Sequence, residues 1–164
     1  MGLANSENRL LLSTANKSEL ALGYSTLYGD LCGALLPIGD LYKTEVYGLA
    51  HSYNRIKTII PQSTLDRPPT AELAPRQLDS DSLPPYEVLD GLLYELIENQ
   101  GTTVYPRESW NKILGSRHSV EEVLQRLHRA EFKRRQAAPV LRVHGRAFGQ
   151  GWHMPIAKNL EHNL

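Results

Sequence analysis

The spacing of apolar and polar residues predicts a chain in which short buried strands alternate with helices. Residues 9–14 and 33–38 are short apolar runs, and the first ends in hydroxyl side chains, which is typical of parallel strands buried on both faces. A helical pattern follows each run: one begins at Asn16, which has the spacing of a capping box with Glu19, and the other covers residues 43–53. This alternation predicts an α/β fold with a parallel sheet.

Both predicted helices have a face of apolar residues at helical intervals. In the first helix, the apolar positions are Leu20, Tyr24, Leu27 and Tyr28. In the second helix, they are Val46, Leu49, Ala50 and Tyr53. We therefore expect the first helix to continue until Gly29 and the second to bury its apolar face.

Proline residues divide the chain after the second helix. Residues 57–86 contain six of the ten prolines and predict a long loop, whereas residues 87–136 return to helical spacing. Within that helical part, the apolar run of residues 89–97 ends at Gly101, and Ser119 forms a second predicted capping box with the acid three residues later.

The domain organisation follows from these segments. We interpret residues 1–158 as a single domain, in which residues 1–56 are the strand and helix part and residues 137–158 are a basic tail after the helical part. Residues 159–164 are terminal residues outside this domain. The interpretation predicts two parallel strands and about five helices.

The composition says little about the fold, but it excludes several classes of binding partner. The 164 residues contain 18 basic and 18 acidic side chains, so a zero net charge offers no general attraction to nucleic acid or membrane. Cys32 is the single cysteine, which excludes a disulfide framework and suits a reducing cytosol. No signal peptide and no apolar run near the roughly 18 residues of a membrane helix are present, and the histidines lack zinc-ligand spacing. We expect a soluble, cytoplasmic protein without a membrane partner.

Candidate chemistry lies where the first run meets the first helix. Ser13 and Thr14 stand at a predicted strand end, where α/β sheets bind ligands, although strand-end hydroxyls also cap helices. Glu19, in the first helical turn, is placed either to hold Mg²⁺ or to complete the capping box. Asp30 follows Gly29, and an acid there has either a turn role or a functional one.

The strongest compositional signal is a basic cluster near the C-terminus, interrupted by Glu131. Its members are Arg126, Arg129, Lys133, Arg134, Arg135, Arg142 and Arg146. Such a cluster suits RNA, DNA or the phosphates of a dinucleotide, and a solvated helix face is the alternative. With zero net charge, general nucleic-acid binding is not the expectation. Lys43 and Thr70 are unremarkable when taken alone.

Four motifs in order resemble the glutamine-dependent NAD⁺ synthetases. They occupy residues 10–30, 67–73, 81–86 and 131–139, and the resemblance covers residues 1–158. It implies the second half of a Rossmann-like domain of the adenine nucleotide α-hydrolase type. It also implies an ATP-dependent ligase, in which ATP adenylates the nicotinate carboxylate of deamido-NAD and glutamine-derived ammonia then displaces AMP to form the amide of NAD.

The resemblance also implies roles for individual residues, although no residue is assigned as catalytic with certainty. ATP would be bound by Thr14, Lys43 and Thr70. Glu19 would hold Mg²⁺ or lie against the nicotinate end of deamido-NAD. The other deamido-NAD residues would be Tyr24, Ser25, Thr26, Leu27, Asp30, Lys133 and Arg134.

The sequence departs from the family pattern by substitution and by absence. Ala15 replaces the usual glycine after the threonine, which predicts a narrower loop near the nucleotide, and Phe132 stands where tyrosine or histidine is usual, which loses a polar contact. The phosphate-binding Ser-Gly-Gly-x-Asp-Ser loop and the glutamine-hydrolysing domain are absent from the sequence. We therefore expect a chain that is inactive alone and associates as a homo-oligomer or with the remainder of a synthetase. The rival interpretation is a non-catalytic module that holds a dinucleotide or a partner through its basic helix.

Overall fold

The structure is a computed structural model that describes residues 1–70, 77–99 and 105–156. Within these ranges the chain forms eight α-helices, one short 3-10 helix and a two-stranded parallel sheet. The α-helices are α1 (Gly2–Ser6), α2 (Lys17–Leu22), α3 (Lys43–Asn54), α4 (Gln62–Leu65), α5 (Tyr86–Glu98), α6 (Arg107–Leu114), α7 (Val120–Arg129) and α8 (Glu131–Arg134). The 3-10 helix is Asp79–Asp81, and the strands are β1 (Ala147–Phe148) and β2 (Gly151–Trp152).

The two predicted strands are present as a short extended parallel pair. The Ser13 N–H donates to the Leu35 carbonyl at 2.9 Å, and the Ala34 N–H donates to Leu11 at 2.8 Å. A third segment joins where the Leu36 N–H donates to the Pro139 carbonyl at 2.8 Å. The α/β class and the parallel direction are therefore confirmed, but the short strands predicted over residues 9–14 and 33–38 are reduced to a single parallel bridge.

Exposure explains why these strands are short. In the first run, Leu10 is 68% exposed and Leu12 is 50% exposed, so the segment lacks the burial on both faces that stabilises a long parallel strand. Its pairing with the second run is a single bridge between Leu12 and Leu35. The segment ends at Ser13 and Thr14, a few residues before α2 begins at Lys17.

Helix α2 begins as predicted but ends early. The Asn16 side chain accepts from the Glu19 N–H and the Glu19 carboxylate accepts from the Asn16 N–H, which confirms the capping box. The helix stops at Leu22 because Gly23 adopts a left-handed conformation with φ of 64°. A Cβ at Gly23 would lie 2.9 Å from the Ala130 Cβ, so a glycine fits this close approach. The predicted continuation to Gly29 was wrong.

Helix α3 matches its predicted bounds but not its predicted burial. None of its residues is buried, and Leu49 and Tyr53 are 43% and 59% exposed. The helix instead packs against α5 and α2 through half-buried positions. The apolar spacing correctly predicted a helix, whereas the inward orientation of Leu49 and Tyr53 was wrong.

The core forms around α5, whose apolar positions are buried as predicted. They pack against Trp110 and Leu114 of α6 and against the apolar face of α7. Ser119 caps α7 by accepting from the Glu122 N–H at 3.2 Å, which confirms half of the second capping box. The Glu122 carboxylate accepts from Arg126 at 3.0 Å instead of from the cap.

A buried charged cluster ties the C-terminal segment to this core. Lys17 is fully buried, and its ammonium donates to Asp40 at 2.7 Å and to Glu98 at 2.6 Å. The second oxygen of Asp40 accepts from the N–H groups of Val143 and His144, each at 2.6 Å. The segment interpreted as a basic tail is therefore hydrogen-bonded to the interior at Val143 and His144.

No helix in the described ranges has the length and apolar character needed to cross a membrane. The predicted helix end at Gly101, residues 71–73 of the second motif and the terminal residues 159–164 lie outside the described residues. The division of the chain at residues 56, 86, 136 and 158 stays a prediction.

Candidate functional site

A cleft of about 710 Å³ opens where the first parallel segment, the start of α2, the loop after α2 and the first turns of α3 meet. This volume is within the usual range for small-molecule and cofactor sites. Nine residues singled out from the sequence line it: Thr14, Glu19, Tyr24, Ser25, Thr26, Asp30, Lys43, Thr70 and Lys133. Residues far apart in the chain thus share one cleft, and their binding roles stay predictions.

Glu19 and Lys43 form an ion pair within this cleft. The Lys43 Nζ lies 3.0 Å from one Glu19 oxygen, and the side chains are 18% and 19% exposed. The other Glu19 oxygen accepts from the Asn16 N–H at 3.1 Å, so Glu19 both caps α2 and faces the cleft. The Lys43 ammonium also lies 5.4 Å from the centre of the Tyr86 ring. These contacts hold one positive and one negative group at a fixed place in the cleft wall.

Asp30 organises the loop that follows α2. Its carboxylate accepts from the Thr26 N–H at 2.5 Å, and its carbonyl accepts from the Ser13 hydroxyl at 2.5 Å. These bonds close the turn of residues 26–30 and join it to the end of the first parallel segment. The geometry gives Asp30 the turn role while leaving it in the cleft lining.

Lys133 reaches the cleft from α8. Its ammonium donates to the carbonyls of Gly23 and Ser25, both at 2.7 Å. A cation at these carbonyls is favourable because the C-terminal end of α2 carries a partial negative charge. Lys133 therefore fixes the loop after α2 and brings a positive charge to the cleft.

Two residues predicted for the deamido-NAD site, Leu27 and Arg134, do not line the cleft. Arg134 is buried and donates to the carbonyls of Leu20 and Ala21 at 3.1 and 2.9 Å. Burial lowers the pKa of the Arg134 guanidinium, and the neighbouring Glu131 carboxylate opposes that effect. Arg134 thus satisfies the last carbonyls of α2, and this geometry argues against its predicted contact with deamido-NAD.

The other cations of the basic cluster are also largely engaged within the chain. Arg126 donates to Glu122 at 3.0 Å, and Arg135 donates to Glu131 at 2.7 Å. Arg142 donates to two nearby backbone carbonyls. These arginines therefore hold neighbouring protein groups together.

Sequence reasoning missed Asp79, a buried carboxylate that lines the cleft. The Tyr86 hydroxyl donates to its Oδ2 atom at 2.7 Å. Burial raises the pKa of the Tyr86 phenol, and the bond to Asp79 and its negative charge raise it further. Tyr86 is the last residue of the third motif, and Asp79 lies two residues before that motif begins. The closeness of this acid to the motif was the sequence feature that could have marked it as a candidate site residue.

A metal ion at this site would need phosphate groups of a bound nucleotide to complete its coordination. In the described part of the chain, no group of three or more His, Cys, Asp or Glu is arranged to hold a metal. Mg²⁺ in nucleotide sites is commonly bound by one or two carboxylates together with phosphates and water. Glu19 fits such a role as a single protein ligand, provided that the Lys43 ammonium shares it.

The short parallel pairing and the cleft beside the helix starts agree with a partial Rossmann-like α/β domain of the adenine nucleotide α-hydrolase type, the fold class of the solved structures that this chain resembles. The model of the NAD synthase family matches residues 1–137, so the chain belongs to that family. This confirms the family predicted from the four motifs.

Individual relatives agree with this assignment. The glutamine-dependent NAD(+) synthetase of Synechocystis sp. is 54% identical over 158 residues, which cover 96% of this chain and 28% of the relative. The structure of a glutamine-dependent NAD(+) synthetase from Cytophaga hutchinsonii has a TM-score of 0.68 at 18% identity, a likeness in fold alone, over 94% of this chain and 25% of that one. The NMN synthetase from Francisella tularensis has a TM-score of 0.59 at 25% identity, over 80% of this chain and 47% of that one. The chain spans about 28% of the length of the curated relative.

Proposed function

We propose that this chain supplies part of the ATP and deamido-NAD site of a glutamine-dependent NAD⁺ synthetase. In the proposed reaction, ATP adenylates the nicotinate carboxylate and releases pyrophosphate, and ammonia then displaces AMP to form the amide of NAD. A carboxylate is a poor electrophile until it carries a leaving group, and the departing pyrophosphate needs cations to take up its charge. The observation that carries the proposal is the single cleft that joins the residues of several motifs.

The ATP part of the proposal rests on Thr14, Lys43 and Thr70. All three line the cleft, and Lys43 is the first residue of α3, where a cation faces the open space beside Glu19. An ammonium at this place suits the negative phosphates of a nucleotide. Mg²⁺, when bound, would offset phosphate charge at Glu19 and assist the departure of pyrophosphate.

The deamido-NAD part rests on the loop after α2 and on Lys133. Residues 24–26 and Asp30 line the cleft, and Lys133 holds the loop through two backbone carbonyls. A dinucleotide presents two phosphates, so the Lys133 ammonium is the cation suited to its charge. Leu27 belongs to the same loop, whereas the buried bonds of Arg134 give it little capacity for a ligand.

The cellular setting belongs to the same proposal. We place the reaction in the cytoplasm, with association into a homo-oligomer or with the remainder of a synthetase. Because the chain spans about 28% of the curated relative's length, we expect binding of nucleotides by the purified chain without formation of NAD.

Calorimetric titration of the purified chain with deamido-NAD, with and without ATP and Mg²⁺, tests the proposal. We expect Lys133→Ala to weaken deamido-NAD binding about tenfold, because a charge-assisted contact is lost. Arg129→Ala is the matched control, since Arg129 is exposed at the end of α7 and removes the same charge away from the cleft.

Either of two results would overturn the proposal. One is a wild-type chain that binds neither ATP nor deamido-NAD. The other is equal weakening by Lys133→Ala and Arg129→Ala, which would indicate general charge attraction in place of a site. A parallel assay for NAD formed from ammonia would separate binding from turnover, and turnover would contradict the expected inactivity of the chain.

A further inference from the structure

The two residues of the ion pair in the cleft wall stand at the starts of two different helices. Glu19 is in the first turn of α2, and Lys43 is the first residue of α3. Both side chains are partly exposed, and an ion pair of this kind holds its members in place only weakly. We therefore expect the contacts between the two helix starts to set the distance between the two charged groups.

A buried carboxylate from α5 joins these two helix starts. Asp90 is 5% exposed, and its Oδ1 atom accepts from the Ser18 hydroxyl at 2.5 Å. Its Oδ2 atom accepts from the Thr44 N–H and from the Thr44 hydroxyl, both at 2.8 Å. The Ser18 oxygen in turn accepts from the Lys43 N–H at 2.9 Å. Ser18 immediately precedes Glu19 in the chain and Thr44 immediately follows Lys43, so these bonds are made next to the ion pair.

This position favours a carboxylate because three donors converge on it. The Ser18 hydroxyl and the two donors of Thr44 share its two oxygen atoms. A side-chain amide has one oxygen, which accepts two hydrogen bonds, so one of the three donors would lose its acceptor. The carboxylate also faces the start of α3, where the Tyr42 side chain makes no capping bond and a negative charge is favourable. Asp90 therefore holds the first turn of α3, which carries Lys43, against α2.

Neither Asp90 nor Thr44 lines the cleft, so neither is placed to touch a ligand there. We propose that Asp90 is a positioning residue, which fixes the Lys43 ammonium where it binds the phosphates of ATP. This inference rests on the proposed function, because it requires ATP in the cleft. It gives a role to a residue of α5 that lies outside the four sequence motifs.

Titration of the purified chain with ATP in the presence of Mg²⁺ tests this role. We expect Asp90→Asn to weaken ATP binding about tenfold, because the displaced Lys43 ammonium loses a charge-assisted contact. Glu95→Gln is the matched control, since it exchanges another buried acid of α5 for its amide. The Glu95 carboxylate accepts from the Trp110 ring N–H of α6 at 3.0 Å, and Glu95 does not line the cleft. This control should leave the affinity for ATP unchanged.

A double-mutant cycle with Lys43→Met separates positioning from a merely structural role. If Asp90 acts through Lys43, the loss of ATP affinity caused by Asp90→Asn should shrink to less than about twofold once residue 43 is methionine. A general loosening of the fold would instead weaken ATP binding equally in both backgrounds.

Thr44 gives a milder probe, which decides the matter if Asp90→Asn does not fold. Thr44→Val removes the hydroxyl bond to Asp90 and keeps the branched shape of the side chain, so we expect ATP binding to weaken about threefold. Thr44→Ser keeps the hydroxyl and should bind ATP as the wild-type chain does.

Three results would overturn the inference. Equal ATP affinity of the wild-type chain and of folded Asp90→Asn, or of Thr44→Val where that variant does not fold, shows that Lys43 keeps its place without these bonds. An undiminished effect of Asp90→Asn in the Lys43→Met background shows a structural role only. Both of these results leave the proposed function intact. A wild-type chain that binds deamido-NAD but not ATP overturns this inference together with the ATP part of the proposed function.

Discussion

Lys17 and Lys43 are each the first residue of a helix, but their surroundings differ. Lys17 is fully buried between two carboxylates, with Asp40 at 2.7 Å and Glu98 at 2.6 Å, and its third bond goes to the Arg146 carbonyl at 2.9 Å. The Lys43 side chain is 18% exposed at the cleft and pairs with a single carboxylate at 3.0 Å. One lysine belongs to the interior and the other to the candidate site.

Hydrogen-bonding capacity explains the difference. An ammonium has three donors, and in Lys17 all three have acceptors within the fold. Lys43, among the described residues, has one such bond and an aromatic ring, which leaves it donors for a ligand. A charged group whose bonds are all made within the protein stabilises structure, whereas one with remaining capacity beside a cleft is suited to binding.

The largest expected effect comes from exchanging each lysine for methionine. Lys17→Met leaves two carboxylates buried without their cation, and we expect a loss of about 3–5 kcal/mol in the free energy of unfolding. Lys43→Met, the matched control, should cost less than about 1 kcal/mol, because its pair is partly exposed. Urea denaturation measures both values, and equal losses would contradict the distinction between the two sites.

The pH dependence of stability gives the next largest effect, at Asp40. Burial alone would raise the pKa of this carboxyl, but bonds from Lys17 and from the N–H groups of Val143 and His144 outweigh it, and the pKa is lowered. The ionised group therefore stabilises the fold above the ordinary Asp pKa of about 3.9, and this contribution disappears as the pH falls through the lower folded value.

We expect Asp40→Asn to lower the free energy of unfolding by about 2 kcal/mol at neutral pH, through loss of charged hydrogen bonds. The difference from the wild-type chain should shrink as the pH falls below about 4. Urea denaturation across that pH range checks this expectation. A difference that stayed constant down to a pH of about 3 would show that the charge of Asp40 contributes little.

The contrast between these regions also shows what the sequence could predict. The capping box at Asn16, the bounds of α3 and the apolar positions of α5 follow from local spacing, and they were predicted correctly. The contacts of Lys17 with residues 23, 81 and 129 positions away could not be read from any local window.

The early end of α2 has the same explanation as these long-range contacts. The apolar residues after Gly23 keep helical spacing, but the glycine is in contact with Ala130, and periodicity carries no information about that approach. The predicted cleft residues were found by resemblance, since Lys43 and Thr70 carry no local signal. Asp79 lies two residues before the third motif, but its burial beside the cleft is a property of the folded chain.

The smallest expected change in stability concerns Glu19, which combines a structural and a candidate binding role. Glu19→Gln keeps a side chain that can accept from the Asn16 N–H in the capping box, and it removes the charge that faces Lys43. We therefore expect the free energy of unfolding to fall by less than about 1 kcal/mol. If Glu19 holds Mg²⁺, the gain in ATP affinity on adding Mg²⁺ should fall markedly, and calorimetry with and without the ion measures that gain. An unchanged gain would restrict Glu19 to capping α2 and pairing with Lys43, and the cleft would then need its metal ligands from elsewhere.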